Sequence, residues 1–156
     1  FVNQSEDEIA AAAAAAELDL VQLHGDEPAA LCAGLRVRGL AVIKALGLRA
    51  EADLDRVRAY ADALVDFLLV DAPSPGYGGA GRTGDWDLAR AAVALGVAPV
   101  LLAGGLRPDN VAAAITAVGP AGVDVASGVE AGPGVKDDDL VRAFVRAARA
   151  PTPASG

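Results

Sequence analysis

Short apolar runs recur along the chain. Three of them are followed by a charged or ionisable residue, one by a pair of glycines, and one by a serine and a glycine. Continuous apolar runs of this length are typical of strands that are buried on both faces of a parallel sheet. In parallel α/β folds the ligand binds at the carboxyl ends of the strands, so the five run ends predict one active-site rim. The runs and the residues that follow them are 20–23 with His24, 41–43 with Lys44, 67–70 with Asp71, 100–103 with Gly104 and Gly105, and 123–126 with Ser127 and Gly128.

Segments of helical composition separate these runs, so strands and helices alternate along the chain. Alternation predicts a parallel sheet with right-handed crossovers. Because nearly every strand end carries a functional group, the pattern favours part of a (β/α)8 TIM barrel over an open, doubly wound sheet. A complete barrel takes about 200 residues or more, so residues 1–150 are predicted to form an incomplete barrel domain of six βα units, and 151–156 a disordered tail. Helices are predicted at 6–17, 27–35, 50–64, 85–95, 108–118 and 137–149, and a strand stub at 1–2.

Composition restricts the partners and the compartment. The formal net charge of −8 argues against nucleic acids and acidic membranes as partners, and no apolar stretch approaches the roughly 20 residues of a membrane-spanning helix. The single cysteine, Cys32, excludes an internal disulfide and fits a reducing compartment, so a cytoplasmic protein is expected. Cys32 lies in a helical stretch and is predicted to be buried, and the acidic residues show no metal-ligand spacing. We therefore expect no metal.

Asp71 is the strongest candidate for acid catalysis. It ends an apolar strand and precedes a loop rich in glycine and proline. A carboxyl group that is partly removed from water holds its proton more readily, which suits a general acid working near neutral pH. The alternative is a solvated aspartate that caps the turn at 73–75.

The loop at 76–84 contains two patterns known from nucleotide sites. Residues 79–84 match G-x-G-x-x-G, but the loop begins too far after the strand and lacks an acidic residue about 20 positions later. Residues 76–83 approach the P-loop pattern, but Arg82 stands where that pattern has lysine. A mobile lid that closes over a substrate is the better interpretation.

Glycines in two consecutive units predict an anion site. Gly104 and Gly105 follow one strand, Ser127 and Gly128 follow the next, and a helix is predicted after each pair. Backbone N–H groups at such turns and the helix N-terminus favour a phosphate, and in barrels the phosphate site follows the last two strands. The alternative is a pair of tight turns without a ligand.

His24 and Lys44 are predicted to have supporting roles. His24 either orients a substrate or bonds a neighbouring loop. Lys44 either forms a Schiff base, pairs with Asp71, or serves as a structural ion partner.

Several ordered segments together resemble the phosphoribosylanthranilate isomerase family, whose members are (β/α)8 barrel enzymes of tryptophan biosynthesis. The resemblance runs from Phe1 to about Arg149, and its most specific part is Leu-Val-Asp at 69–71 followed by 77–86. The remaining segments are 1–3, 21–25, 42–45, 101–106 and 123–130.

The resemblance implies an Amadori rearrangement of N-(5-phosphoribosyl)anthranilate that needs no cofactor. The general acid of the family falls on Asp71, and Asp124 would orient nearby groups. The partner would be a small phosphorylated sugar–anthranilate substrate. The residues implied in phosphate binding are Gly79 and Gly81 from the lid, and Gly104, Gly105, Ser127 and Gly128.

The sequence also departs from the family pattern. The general base of the family is a cysteine in a Lys-Ile-Cys-Gly-like segment at the end of the first strand, and no such segment is present. The second strand, with an arginine for the anthranilate carboxylate, is also absent, and Gly84 replaces an aromatic residue. The chain therefore resembles the last six units, strands 3–8 of the barrel, and is predicted to be inactive alone.

Two other functions stay open. One is a related phosphate-sugar isomerase of the same barrel class that uses Lys44 as a Schiff-base residue. The other is a non-catalytic partial barrel that binds phosphate. Its unpaired edge strands would favour a homodimer or a complementing chain.

Overall fold

Helices and parallel strands alternate through residues 1–71 and 85–150, which the computed structural model describes. The helices are α1 (Glu6–Ala15), α2 (Ala29–Val37), α3 (Leu54–Arg58), α4 (Asp85–Ala94), α5 (Val111–Val118) and α6 (Asp138–Ala148). The parallel strands are β1 (Leu20–Leu23), β2 (Ala41–Gly47), β3 (Phe67–Asp71), β4 (Val100–Ala103) and β5 (Gly122–Val123). A hairpin of β6 (Glu130–Gly132) and β7 (Val135–Lys136) follows a 3-10 turn at Ser127–Val129, and another 3-10 turn lies at Glu51–Asp53. The predicted lid and tail lie outside the described residues.

The five parallel strands pair in the order in which they occur, β1-β2-β3-β4-β5. Sequential order with right-handed crossovers keeps every connecting helix on the same face of the sheet. One apolar core accordingly contains buried residues from all six helices, such as Ile9 of α1 and Phe144 of α6, together with outward-facing strand residues such as Val42 and Leu102. This winding is that of a barrel and not of a doubly wound sheet.

The other face of the sheet is covered by a small apolar layer. Ala45, Leu69 and Ala103, from three neighbouring strands, are almost completely buried there and pack with Ile43 and Leu101. Side chains alternate between the two faces of a strand, so the three central strands β2, β3 and β4 are buried on both faces, as their apolar runs predict, whereas Leu20 of the edge strand β1 is exposed. The same alternation decides which strand-end residues face inwards.

The sheet has five strands among the described residues, whereas the sequence predicts six. The expected stub at 1–2 is not a strand, although Phe1 lies beside β1. The N-terminal ammonium of Phe1 donates to the Gln22 carbonyl at 2.8 Å, and the His24 N–H donates to the Phe1 carbonyl at 2.9 Å. Asn3 then adopts a left-handed conformation with φ 63°, which turns the chain away from the sheet.

The observed first residues of the helices agree best with the predicted ones where a side chain caps the helix. Ser5 caps α1: its hydroxyl accepts from the Glu8 N–H, and the Glu8 carboxylate accepts from the Ser5 N–H at 2.8 Å. The predicted helix at 50–64 is wrong in length, because hydrogen bonds with a spacing of three residues replace helical ones around α3. Examples are Tyr60 N–H to Val57 O at 3.2 Å and Ala63 N–H to Tyr60 O at 3.0 Å.

The last predicted unit needs the largest correction. The strand expected at 122–126 ends at Val123, and no helix follows it directly. The chain instead forms the 3-10 turn and the hairpin before α6 begins. Gly134 has φ 76° and follows Pro133, a pair that forms tight turns because glycine tolerates positive φ. Likewise, α5 begins at Val111 and not at 108.

Candidate active site

A pocket of about 290 Å³ lies at the carboxyl ends of the parallel strands. It brings together residues that are separated in sequence by as many as 106 positions, from Gln22 to Gly128, as the common rim of a parallel sheet requires. Its floor is the inner apolar layer, represented by Leu69 and Ala103. The predicted site residues that line it are His24, Asp71, Gly104, Gly105, Asp124, Ser127 and Gly128.

Asp71 is placed on the inner face by its position in β3. It pairs in register with Gly47 of β2, and its backbone carbonyl accepts from the Leu48 N–H at 3.2 Å. The carboxylate is half-buried, with 37% of the side chain exposed, and the guanidinium of Arg49 lies 3.8 Å from its Oδ2. The acid therefore lines the pocket while remaining accessible to a ligand.

Lys44 points the other way. Its side chain is fully buried between the sheet and the helices, and its Nζ lies 2.9 Å from Glu27 Oε2. The carbonyls of Leu23, Gly25 and Ala45 also accept from this ammonium, at 3.2, 2.7 and 3.1 Å. The structure thus pairs Lys44 with Glu27 and not with Asp71, and a buried ammonium with these partners is not placed to attack a substrate.

Glu27 is the most important residue that the sequence analysis missed. Burial alone would raise its pKa, but the Asn3 N–H and the Lys44 ammonium outweigh burial, so the pKa lies below its ordinary value. The signal was available: a lysine inside an apolar run needs a buried anionic partner. Cys32 lies in the same core, where burial raises the pKa of its thiol to about 11.

The turn after β4 depends on glycine. Gly104 has φ 98° and Gly105 has φ 59°, conformations that side chains other than glycine adopt only with strain. Asn110 holds the turn, because its Nδ2 donates to the Gly105 carbonyl at 3.0 Å and its Oδ1 accepts from the Arg107 N–H at 2.8 Å. Sequence analysis missed Asn110, although asparagine is typical of loops stabilised in this way.

The turn after β5 packs directly against the first glycine turn. A Cβ placed on Gly128 would lie against the carbonyl oxygen of Leu106 and 3.1 Å from Arg107 Cγ. Lys136 of β7 reaches back to the same turn, donating to the Ala126 carbonyl at 2.8 Å and to Glu130 Oε1 at 2.7 Å. The two segments predicted to bind an anion therefore form one continuous wall of the pocket.

Two further polar side chains complete the rim. His24 is exposed, and its Nδ1 lies 3.4 Å from Nε2 of Gln22, which also lines the pocket. Asp124 is exposed beyond the end of β5, and its N–H donates to the Leu102 carbonyl at 2.8 Å. Gly79 and Gly81 of the predicted lid lie outside the described residues.

The described residues form neither a metal-binding cluster nor a membrane-spanning helix. Within residues 1–71 and 85–150, no cluster of three or more histidine, cysteine or acidic side chains is arranged to hold a metal ion. None of the helices described in that part of the chain is long and apolar enough to span a membrane.

The family follows from comparison with known proteins. The family described as N-(5'phosphoribosyl)anthranilate (PRA) isomerase matches residues 1–147. The chain belongs to this family. The N-(5'-phosphoribosyl)anthranilate isomerase of Myxococcus xanthus is similar, with 52% identity over 150 residues that cover 96% of this chain and 69% of that protein.

Solved structures of PRA isomerases share the fold. The Thermotoga maritima enzyme matches with a TM-score of 0.80 and 42% identity, over 95% of this chain and 70% of its own. A second structure, a complex with reduced 1-(o-carboxyphenylamino)-1-deoxyribulose 5-phosphate, matches with a TM-score of 0.77 and 38% identity, over 95% of this chain and 68% of its own. About seven-tenths of each PRA isomerase thus has a counterpart here.

Proposed function

We propose that the pocket carries out the PRA isomerase reaction of tryptophan biosynthesis. N-(5'-phosphoribosyl)anthranilate becomes 1-(2-carboxyphenylamino)-1-deoxyribulose 5-phosphate by an Amadori rearrangement, without a cofactor. The observation that supports this most is that Asp71 and both glycine turns line one pocket in a chain of this family. We also place the protein in the cytoplasm, since its lone cysteine fits a reducing compartment.

Asp71 acts as the general acid. It donates its proton to the furanose ring oxygen while the bond from that oxygen to C1 breaks, and the anthranilate nitrogen lone pair forms the C1=N bond of a Schiff base. A base then takes the proton from C2, which gives an enolamine that tautomerises to the C2 ketone. The Arg49 guanidinium, 3.8 Å from Asp71 Oδ2, stabilises the carboxylate that remains after proton donation.

The substrate phosphate binds along the wall formed by the two glycine turns. The left-handed conformations of Gly104 and Gly105 curve the backbone into a concave surface of the kind that binds anions. The close packing of Gly128 on Leu106 brings the turn with Ser127 beside them. Asp124 orients the neighbouring groups, and we assign Gly79 and Gly81 to phosphate binding as well.

We propose further that residues 1–150 correspond to six units of the barrel, strands 3–8. The Myxococcus xanthus enzyme is longer, since this chain spans 69% of it, and we assign the general base and the carboxylate-binding arginine to the part that has no counterpart here. The sheet ends at β5 and at β1, where Phe1 covers part of the edge. Such edges are suited to pairing with further strands, with a second copy or with a complementing chain.

Replacing Asp71 tests the reaction directly. In a chain extended by the missing units, we expect Asp71→Asn to lower kcat about 10²- to 10⁴-fold, because the amide keeps the shape but donates no acidic proton. Binding of the reduced product analogue should be unchanged by calorimetry. Asp62→Asn, at an exposed position outside the pocket, is the matched control. If Asp71→Asn retains the rate, Asp71 is only a loop cap and the proposal fails.

A further inference from the structure

The buried Lys44–Glu27 pair connects three separate pieces of backbone. Lys44 belongs to β2, and its ammonium contacts the carbonyls of Leu23 and Gly25, which lie on either side of His24. Both charged side chains are essentially inaccessible to solvent, at 0% and 1% exposure. The pair therefore lies directly beneath the part of the rim that carries the imidazole.

Glu27 fixes the same loop from its other side. Its Oε1 accepts from the Asn3 N–H at 2.8 Å, and its Oε2 accepts from the Gly25 N–H at 3.0 Å. The Glu27 carbonyl in turn accepts from the Tyr60 hydroxyl at 2.7 Å. The carboxylate thus holds the N-terminal segment against the loop after β1, and α2 begins immediately beyond it.

His24 is held by its backbone and by one side-chain contact, between its Nδ1 and Gln22 Nε2 at 3.4 Å. Its N–H donates to the Phe1 carbonyl, the residues on both sides are bonded to Lys44, and its exposed side chain faces the pocket. Burying an ion pair is costly, and an apolar pair of the same size often stabilises a protein equally well or better. An apolar pair, however, has no N–H groups to donate to the carbonyls of Leu23 and Gly25, which the Lys44 ammonium now satisfies.

We propose that the Lys44–Glu27 pair positions His24 in the pocket. Lys44 and Glu27 are then positioning residues, which act on substrate binding through the loop after β1. This inference rests on the proposed function of the pocket. It assigns to His24 a contact with the sugar–anthranilate part of the substrate, since the glycine turns that form the phosphate wall come from β4 and β5.

A double variant separates positioning from stability. Lys44→Met and Glu27→Gln each leave one member of the pair without its partner and should lower the unfolding temperature. Together they remove both charges, so the double variant should recover most of that loss, while the carbonyls beside His24 remain without the ammonium. Arg36→Gln removes an ion pair with Asp66 at 3.0 Å, at the opposite end of the sheet, and serves as the control.

Three measurements are made on each variant. They are thermal unfolding, hydrogen exchange of the His24 N–H, and binding of inorganic phosphate and of the reduced product analogue. Because the chain has one histidine, selective ¹⁵N labelling of histidine identifies the His24 N–H without sequential assignment. In the double variant we expect exchange at His24 to be about tenfold faster. We expect the analogue to bind about tenfold more weakly and phosphate to bind as in the unaltered chain.

The outcomes are distinct. In one outcome the double variant regains stability and also keeps the wild-type exchange rate of the His24 N–H and the wild-type affinity for the analogue. That result would show that the pair is only structural, and it would overturn the inference. If the unaltered chain binds neither phosphate nor the analogue, the proposed function fails. Exchange at His24 then decides by itself whether the pair positions the loop, with unchanged exchange refuting the inference.

Discussion

Gly128→Ala should damage both the stability of the protein and its phosphate site. The added Cβ would lie against the Leu106 carbonyl oxygen, 2.9 Å from the Leu106 carbonyl carbon and 3.1 Å from Arg107 Cγ. Since two of these atoms are backbone, a side-chain rotation cannot relieve the overlap. The turn after β5 must instead move away from the turn after β4, which separates the two halves of the proposed phosphate site.

The chain offers a matched control in Gly132→Ala. A Cβ on Gly132 meets nothing within 4 Å, and its φ is not in the left-handed region. Both substitutions reduce the entropy of the unfolded chain equally, a gain of about 0.4–1 kcal/mol, so the difference between the variants reports the overlap alone. Overpacking costs about 1–3 kcal/mol, and each kcal/mol corresponds to roughly 2–4 °C in a domain of this size.

Thermal unfolding and phosphate titration of the two variants measure the effect. We expect Gly128→Ala to unfold roughly 2–12 °C below Gly132→Ala and to bind phosphate more weakly, while Gly132→Ala binds it normally. Equal unfolding temperatures would show that the turns separate without strain. Equal phosphate affinities in both variants would refute the continuity of the phosphate wall.

Two other predictions concern pH and turnover. The pKa of Glu27 lies below its ordinary value of 4.5, so its contribution to stability is complete above about pH 4.5 and is lost as pH falls through the folded-state pKa. Urea unfolding between pH 6 and 3 should show this loss of stability, and the Glu27→Gln variant should not show it. The 156-residue chain alone should convert substrate about 10²- to 10⁴-fold more slowly than an extended chain, since we assign the general base to the part of the relatives that has no counterpart here. An ordinary rate in a fluorescence assay of the purified chain would contradict that assignment and make His24 the first candidate for a substitute base.

The parallel strands could be predicted because burial on both faces leaves a strong mark in the sequence. The runs at 20–23 and 67–70 coincide with β1 and most of β3, and the residues after them reach the same pocket. The prediction of one rim from separate strand ends needs only the rule that ligands bind at the carboxyl ends of parallel strands. For that reason Asp71 and His24 could be placed at the rim from the sequence pattern, whereas Asp124 was placed there by the family resemblance.

The sequence was least informative where tertiary contacts override local preference. Lys44 looked like a rim residue because it follows an apolar run, but β2 continues to Gly47 and its alternation turns Lys44 towards the helices. The apolar run indicates that Lys44 needs an anionic partner, but no local pattern indicates that this partner is Glu27, 17 residues earlier. The hairpin at 130–136 was missed although Pro133-Gly134 is a turn signal, because a helix was expected directly after β5.

The phosphate site tests the central claim most directly, because all of its proposed donors after β4 and β5 are present in the 156 residues. Phosphate is titrated into ¹⁵N-labelled protein and the amide shifts are mapped onto the chain. The account predicts that the shifts concentrate at 104–106 and 127–129, without any metal, and that Gly105→Asp weakens them by adding a negative side chain where φ is 59°. Shifts at 76–83 that require magnesium would instead indicate a nucleotide loop and would contradict the isomerase assignment.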